Sequence, residues 1–222
     1  MCNIYISNEI QAICPQITLG CIQAKVNVVD YDAQLWGEIS LACEKLMSIY
    51  SISEISKIKN IKDARTVYRR LGKDPTRYRI SSEALVRRIL KDKSLYQVNN
   101  IVDINNLISI TSFYPICTYD LEKIQEPISF TIGRAGEWYD GIGRGSINIE
   151  KLPVFLDKKG EFGSTTSDSE RTMVTKDTKY ILKCIVSFNG EASIKKHMEQ
   201  GKKLLEQYAD GKDIKMQIIS GN

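Results

Sequence analysis

The chain has 222 residues, 42% hydrophobic and 26% charged, with a formal net charge of +4. That length and mixture lead us to expect one soluble globular domain, 1–222, burying about 70% of its unfolded surface without metal or disulfide staples. Its longest apolar runs break well short of the ~20 residues that a membrane span needs.

In chain order, "NIYI" (3–6) and "ITLGCIQAKVNVV" (17–29) read as strands, the second by alternation of Ile22, Ala24, Val26 and Val28 with polar residues. Residues 31–49 read as a helix capped by Asp30 or Asp32. "IKDARTVYRRLG" reads as a helix stopping at Gly72. Ser81 or Ser82 is expected to cap a short helix running to Lys91. "ISFTI" (128–132) alternates, "GRAGEWYDGIGRGS" reads as a glycine-rich loop, and "VFLDKKGEF" reads as a hairpin. "KYILKCIVSF" is apolar on both faces except Lys183 and Ser187, so a central strand is expected. An amphipathic helix over 191–209 and a strand over 214–219 close the chain. Helices first, then strands with a late helix, indicate an α+β fold.

Charge is unevenly spread. Residues 57–93 hold thirteen Lys plus Arg against Asp63, Asp74, Glu83 and Asp92, a net of +9 that implies a polyanion-facing surface. Seven of the ten arginines fall within 65–88. Arg79, Arg87 and Arg88 are assigned to structure or a pocket: Arg79 through a pair with Glu83, Arg87 and Arg88 through carboxylates such as Asp103. Arg65, Arg69, Arg70, Lys73 and Arg77 are assigned to an RNA-facing surface, with Tyr68 and Tyr78 placed to stack on bases.

Several chemistries are not supported. The six cysteines form no C-x-x-C, and His197 is the only histidine, so no metal site or cofactor is expected and the thiols read as buried and reduced. His197 reads as a solvated surface residue, which argues against Ser-His-Asp or Cys-His catalysis. Gly141, Gly143 and Gly145 lack a following G-K-[ST] and read as turn chemistry. The carboxylates Asp103, Asp120, Glu137, Asp140 and Asp168 read mainly as caps, turn residues or arginine partners. "MCNIYISNEI" has no basic region before an apolar run, so no signal peptide and a cytoplasmic location are expected.

Three groups of blocks carry a resemblance: "YRISSEALVRRIL" with "VNNIVDINNLISI", "YPICTYDLEKI" with "GRAGEWYDGIG", and "TSDSERTMVTKDTKYIL". In order and spacing they resemble the tRNA-editing module of the phenylalanyl-tRNA synthetase β subunit, its third and fourth domains, and free-standing proteins that consist of little else. The resemblance covers 61–190, with 1–60 as N-terminal strands and a helix packed on it. It implies an α+β architecture with β-sandwich-like core sheets and flanking helices. By position it implies a substrate pocket with Asn105 and Asn106, with Cys117 where the family has a histidine, and with Gly163, Asp168 and Thr172 from "GSTTSDSERT". Glu137 and Arg171 are expected nearby. The glutamate that recognises a tyrosine hydroxyl falls on Cys184, which leaves tyrosine without its recognising contact.

Three functions stay open: a module that binds aminoacyl-tRNA and hydrolyses a mischarged amino acid in trans, a non-catalytic RNA-binding module, and a small-molecule binder that retains the pocket. No catalytic residue is assigned, and oligomeric state is not read. The chain is not itself a synthetase, because it has no ATP-binding signature. Backbone N–H groups of "GSTTSDSERT" are the expected oxyanion contacts.

Overall fold

A computed structural model describes residues 1–221. Its strands are β1 (Ile4–Ile6), β2 (Thr18–Lys25), β3 (Ile116–Asp120), β4 (Ile128–Ile132), β5 (Trp138–Gly141), β6 (Gly145–Asn148), β7 (Pro153–Asp157), β8 (Gly160–Ser164), β9 (Tyr180–Ser187) and β10 (Lys212–Ser220). Its helices are α1 (Asn8–Ile13), α2 (Ala33–Ile49), α3 (Lys59–Arg70), α4 (Ser81–Ile89), α5 (Asn100–Ser112) and α6 (Ile194–Tyr208). The fold is α+β.

One four-stranded sheet runs β10-β2-β9-β3, antiparallel throughout, and a second runs β1-β4-β7-β8. Side chains alternate across a strand, so register decides what each face meets. Cys21, Cys184 and Cys117 lie side by side on one face of the first sheet. On that same face the Tyr119 ring packs edge-on against Phe155 at 5.5 Å and Phe162 at 4.7 Å, both from the second sheet. The two sheets are therefore packed as a sandwich. Cys184 belongs to its core, where its sulfur lies 3.8 Å from that of Cys21.

The opposite face of the first sheet carries Gly20, Ile22, Lys183 and Thr118 and is covered by α5 and α6. Gly20 makes the close approach of α6 possible, since a Cβ there would sit 2.6 Å from Ile194 and 2.9 Å from Met198. The strand over 179–188 is central, as its composition suggests: β9 pairs with β2 on one side and β3 on the other.

Two elements differ from the sequence reading. Residues 100–112 form α5, which periodicity hides because the helix is buried nearly all round, Asp103 and Ser109 included. The glycine-rich segment is a β5–β6 hairpin, in which Gly143 and Gly145 take left-handed backbone angles of φ 64° and 67°. His197 is half-buried, its ring 5.7 Å from that of Tyr114, because α6 turns this position toward the domain.

Helix α4 starts without a side-chain cap. Ser82 instead donates to the Phe113 carbonyl at 3.0 Å. The organising contact of this region is Glu83, which is fully buried. Its carboxylate accepts from Arg65 Nη1 at 2.9 and 3.1 Å and from Arg87 Nε at 2.7 Å. Arg79 does not pair with it, because α4 begins only at Ser81 and leaves Arg79 off the helix surface. Asp103 receives neither Arg87 nor Arg88; Trp36 Nε1 donates to it at 2.7 Å.

Removing one member of a buried charge cluster strands the others, at a cost of about 3–5 kcal/mol. Glu83→Ala should lower urea-unfolding stability by that order, while Arg79→Ala should stay within about 0.5 kcal/mol of the parent. Similar losses in the two variants would contradict the placement of Glu83.

Candidate functional site

β3 is an edge strand, and a cavity of about 240 Å³ opens beside it. Ser81 and Leu85 line it from α4, Val102, Asn105, Asn106 and Ser109 from α5, and Ile116 and Thr118 from β3. Val98, Ile142, Asp168, Met173 and Val174 complete the wall. A dry cavity of roughly 150 Å³ takes a benzene-sized guest, so this one has room for a ring or branched chain plus polar atoms. The Val186 N–H donates to Pro115 O at 3.1 Å, and Ile116 stands opposite Ile185. In an antiparallel ladder that phase turns the peptide groups of Ile116 and Thr118 toward the free edge. The Ser81 hydroxyl oxygen is buried there without a hydrogen-bond partner among the described residues.

Two titratable groups stand behind the polar part of this wall. Asp168 accepts through Oδ1 from the Tyr119 hydroxyl at 2.9 Å and the Ser164 N–H at 3.2 Å. Burial outweighs those bonds and pushes its carboxyl up to about 7. The contact depends on Gly163, where a Cβ would strike the Tyr119 hydroxyl and lie 2.6 Å from Asp168 Oδ1. Lys183 is fully buried, and its ammonium donates to Asn105 Oδ1 and, at 3.1 Å, to Thr118 Oγ1. Burial lowers it to about 7. Sequence reasoning missed Lys183 as a site residue, although a lone lysine in a central apolar strand was the signal.

The expected pocket residues separate into two groups. Asn105, Asn106 and Asp168 line the cavity. Cys117 faces the sandwich interior, its thiol 3.6 Å from Ser164 O and pushed well above the ordinary value by burial, which leaves no reactive thiolate. Glu137 closes its own loop by accepting from the Arg134 N–H at 2.6 Å. Arg171 makes a two-pronged pair with Asp157 at 2.9 and 3.1 Å and also donates to Gly160 O. Thr172 is buried and donates to Phe162 O at 3.2 Å. These three side chains hold the hairpins rather than the cavity. Four of the amides expected as oxyanion contacts, in the turn after β8, are already engaged. Ser164 N–H donates to Ser167 O, Thr165 N–H to Pro153 O, and the Thr166 and Ser167 N–H groups to Ser164 Oγ. Among the described residues, no group of three or more His, Cys, Asp or Glu could hold a metal, and no helix is long and apolar enough to cross a membrane.

A second hollow, of about 420 Å³, is lined by Arg77, Arg79, Arg87, Arg88, Lys91, Lys93 and Arg144, with Ile52, Ala84 and Thr166. None of its lining residues is acidic. It is contiguous in chain terms with the cavity at three elements: Ala84 beside Leu85, Thr166 near Asp168, and Arg144 near Ile142. Of the residues assigned to an RNA-facing surface, only Arg77 lines this groove. Arg65 and Arg69 line a separate basic hollow with Lys57 and Lys62. Arg65 is drawn in by Glu83, with its side chain 11% exposed. Arg70 donates to Ile13 O at 3.1 Å, and the Lys73 ammonium lies 4.4 Å over the Tyr78 ring. Tyr68 is buried and bonded through its hydroxyl to Thr165 and Thr166, so it is closed to base stacking. Arg88 stacks at 3.9 Å on the exposed Tyr96 ring.

A family model described as the B3/4 domain matches residues 63–208, from α3 through α6. No curated protein matches the chain. Among solved structures, the chain is similar to an N-terminal fragment of the phenylalanyl-tRNA synthetase β subunit from Pyrococcus horikoshii, at 14% identity and a TM-score of 0.45. The similarity covers 98% of this chain and 50% of that one, so the chain spans about half the length of the fragment.

The raised Asp168 carboxyl makes a pH prediction. Its ordinary value is 3.8, so between about 4 and 7 the native state holds a proton that the unfolded chain has released. The stability it contributes is full below about pH 4 and is lost as pH rises through about 7. Asp168→Asn should therefore lose less stability than the parent in thermal unfolding between about pH 4 and 8. Parallel curves would contradict the burial of this carboxylate.

Proposed function

Because the chain belongs to the B3/4 domain family and is a phenylalanyl-tRNA synthetase β-subunit-like module, we propose that it binds aminoacyl-tRNA and hydrolyses a mischarged amino acid in trans. The observation that carries this reading is that the basic groove and the cavity draw their walls from the same three segments, α4, the turn after β8 and the β5–β6 hairpin. Guanidinium and ammonium groups suit phosphate oxygens. The groove takes the sugar-phosphate backbone near the acceptor end, and the cavity takes the esterified amino acid.

An aminoacyl ester is already activated. Hydrolysis then needs a held water and donors for the tetrahedral oxyanion more than a strong base. The outward N–H of Thr118 and the Asn105 amide are the available donors. Asp168, titrating near 7, is suited to orient the water and accept its proton. The neighbouring ribose hydroxyl assists. Leu85, Val98, Val102, Met173 and Val174 make the remaining wall apolar, which favours amino acids without a polar side-chain group. Cys184, at the position of the family's tyrosine-recognising glutamate, lies in the sandwich core. Tyrosine therefore has no assigned partner.

The test is release of labelled amino acid from a panel of matched and mismatched aminoacyl-tRNAs. Release from a mismatched member is expected, and Cys117→Ala should retain it. Replacing Arg77, Arg79 and Arg144 by Ala should flatten the salt dependence of tRNA binding by about two in log–log slope, at ~0.7–0.9 per phosphate contact. An unchanged slope would remove the groove from the reading. Tight binding with no release from any member would leave a non-catalytic RNA-binding module.

A further inference from the structure

We propose that Lys183 is a positioning residue of the cavity: it holds the Asn105 carboxamide with its oxygen inward, so that the amide N–H groups face the ligand as a receptor for an acyl or carboxylate oxygen. The receptor half of this inference rests on the reading of the cavity as an aminoacyl site.

Lys183 lies mid-strand in β9 and is fully buried. A buried ammonium ordinarily requires a carboxylate, and none bonds Lys183. The groups that meet it from each packed element are Asn105 of α5, Thr118 of β3, Ile22 of β2 and Gly201 of α6. The titratable groups close enough to act on it are the thiols of Cys117 and Cys184, which burial keeps neutral.

Its two hydrogen-bond partners, Asn105 and Thr118, both line the cavity. An ammonium only donates. The atom of Asn105 that faces it must therefore be the carbonyl oxygen, and the Thr118 hydroxyl donates to that same oxygen at 2.9 Å. Two donors on one oxygen fix the amide and turn Nδ2 the other way. A ligand oxygen that gains negative charge against Nδ2 then lies one amide away from a cation that lacks a counter-charge.

The arrangement is pH-dependent. Above about 7 the amine loses its proton and becomes able to accept, and the fixed orientation of Asn105 relaxes.

The experiment compares the parent with Lys183→Met. In 15N-labelled protein, the Asn105 side-chain amide signals, identified by their loss in Asn105→Asp, should shift or broaden in Lys183→Met while the backbone spectrum is retained. In the parent they should titrate together with the Lys183 ammonium. This second measurement serves if the Met variant fails to fold. Binding is read with amide-linked 3′-leucylamino-3′-deoxyadenosine. The parent-to-variant affinity ratio should fall about tenfold between roughly pH 6 and 8.5, the size of a one-unit titration effect. Taking the ratio cancels the probe's own amine.

Asn105 signals indifferent to Lys183, or a ratio constant with pH, would overturn the proposal. Coupled Asn105 signals with no probe binding at any pH would overturn the aminoacyl reading and leave the Lys183–Asn105 coupling standing.

Discussion

A single carboxylate under two guanidiniums sets the geometry of the whole functional face. Glu83 draws Arg65 of α3 and Arg87 of α4 onto itself, so the two helices are tied and α4 has one permitted rotation. Ser82, Glu83, Val86 and Ile89 then point inward. A second side of α4, through Ser81 and Leu85, becomes cavity wall. A third, through Ala84, Arg87, Arg88 and the following Lys91, becomes groove wall. Groove and cavity are neighbours because one short helix supplies both. The crowding of arginines in 65–88 thus serves two purposes. Some guanidiniums neutralise a buried charge, and the rest stay outside as a field of one sign.

The cavity depends on a different constraint, the cost of removing charge from water. Asp168 and Lys183 are both desolvated, and burial drives their titration toward neutrality from opposite directions. Each is held by neutral partners rather than by the other. Asp168 rests on Tyr119 and a backbone N–H, and Lys183 on Asn105 and Thr118. The side-chain partners Tyr119, Thr118 and Asn105 come from β3 and α5, two elements that also line the cavity, and the N–H comes from Ser164 at the end of β8. The sandwich therefore positions the chemistry indirectly: its core locates β3, and β3 leaves an unpaired edge.

Much of the sandwich was readable in the sequence. The alternation in 17–29 and 128–132, the apolar run of β9 and the Asp157–Gly160 turn are local patterns, and local patterns carry their period with them. Helix α5 was not readable as a helix, because burial on all sides erases amphipathic contrast. Asn105, Asn106 and Asp168 came from resemblance, and the fold brings all three to one cavity. Arg171 and Thr172 came from the same blocks and do not reach it. Their side chains are claimed by Asp157 and Phe162 O, contacts across a hairpin that no one-dimensional spacing reveals. The arginine pairings with Glu83 and the membership of the groove were hidden for a similar reason. Arg65 is separated from Glu83 by eighteen residues, and Arg144 joins the groove from a hairpin more than fifty residues beyond Lys91.

The central claim is that groove and cavity are one site occupied by one ligand. Titrating a methyl-labelled protein with an RNA hairpin that carries a 3′ amide-linked amino acid tests it directly. The account predicts that Val102, Met173 and Val174 methyl signals in the cavity move over the same RNA concentrations as the Arg79 and Arg144 side-chain signals in the groove. It also predicts that the same RNA without the amino acid moves only the groove signals. Cavity methyls that stay fixed while the groove saturates with the aminoacylated RNA would contradict it.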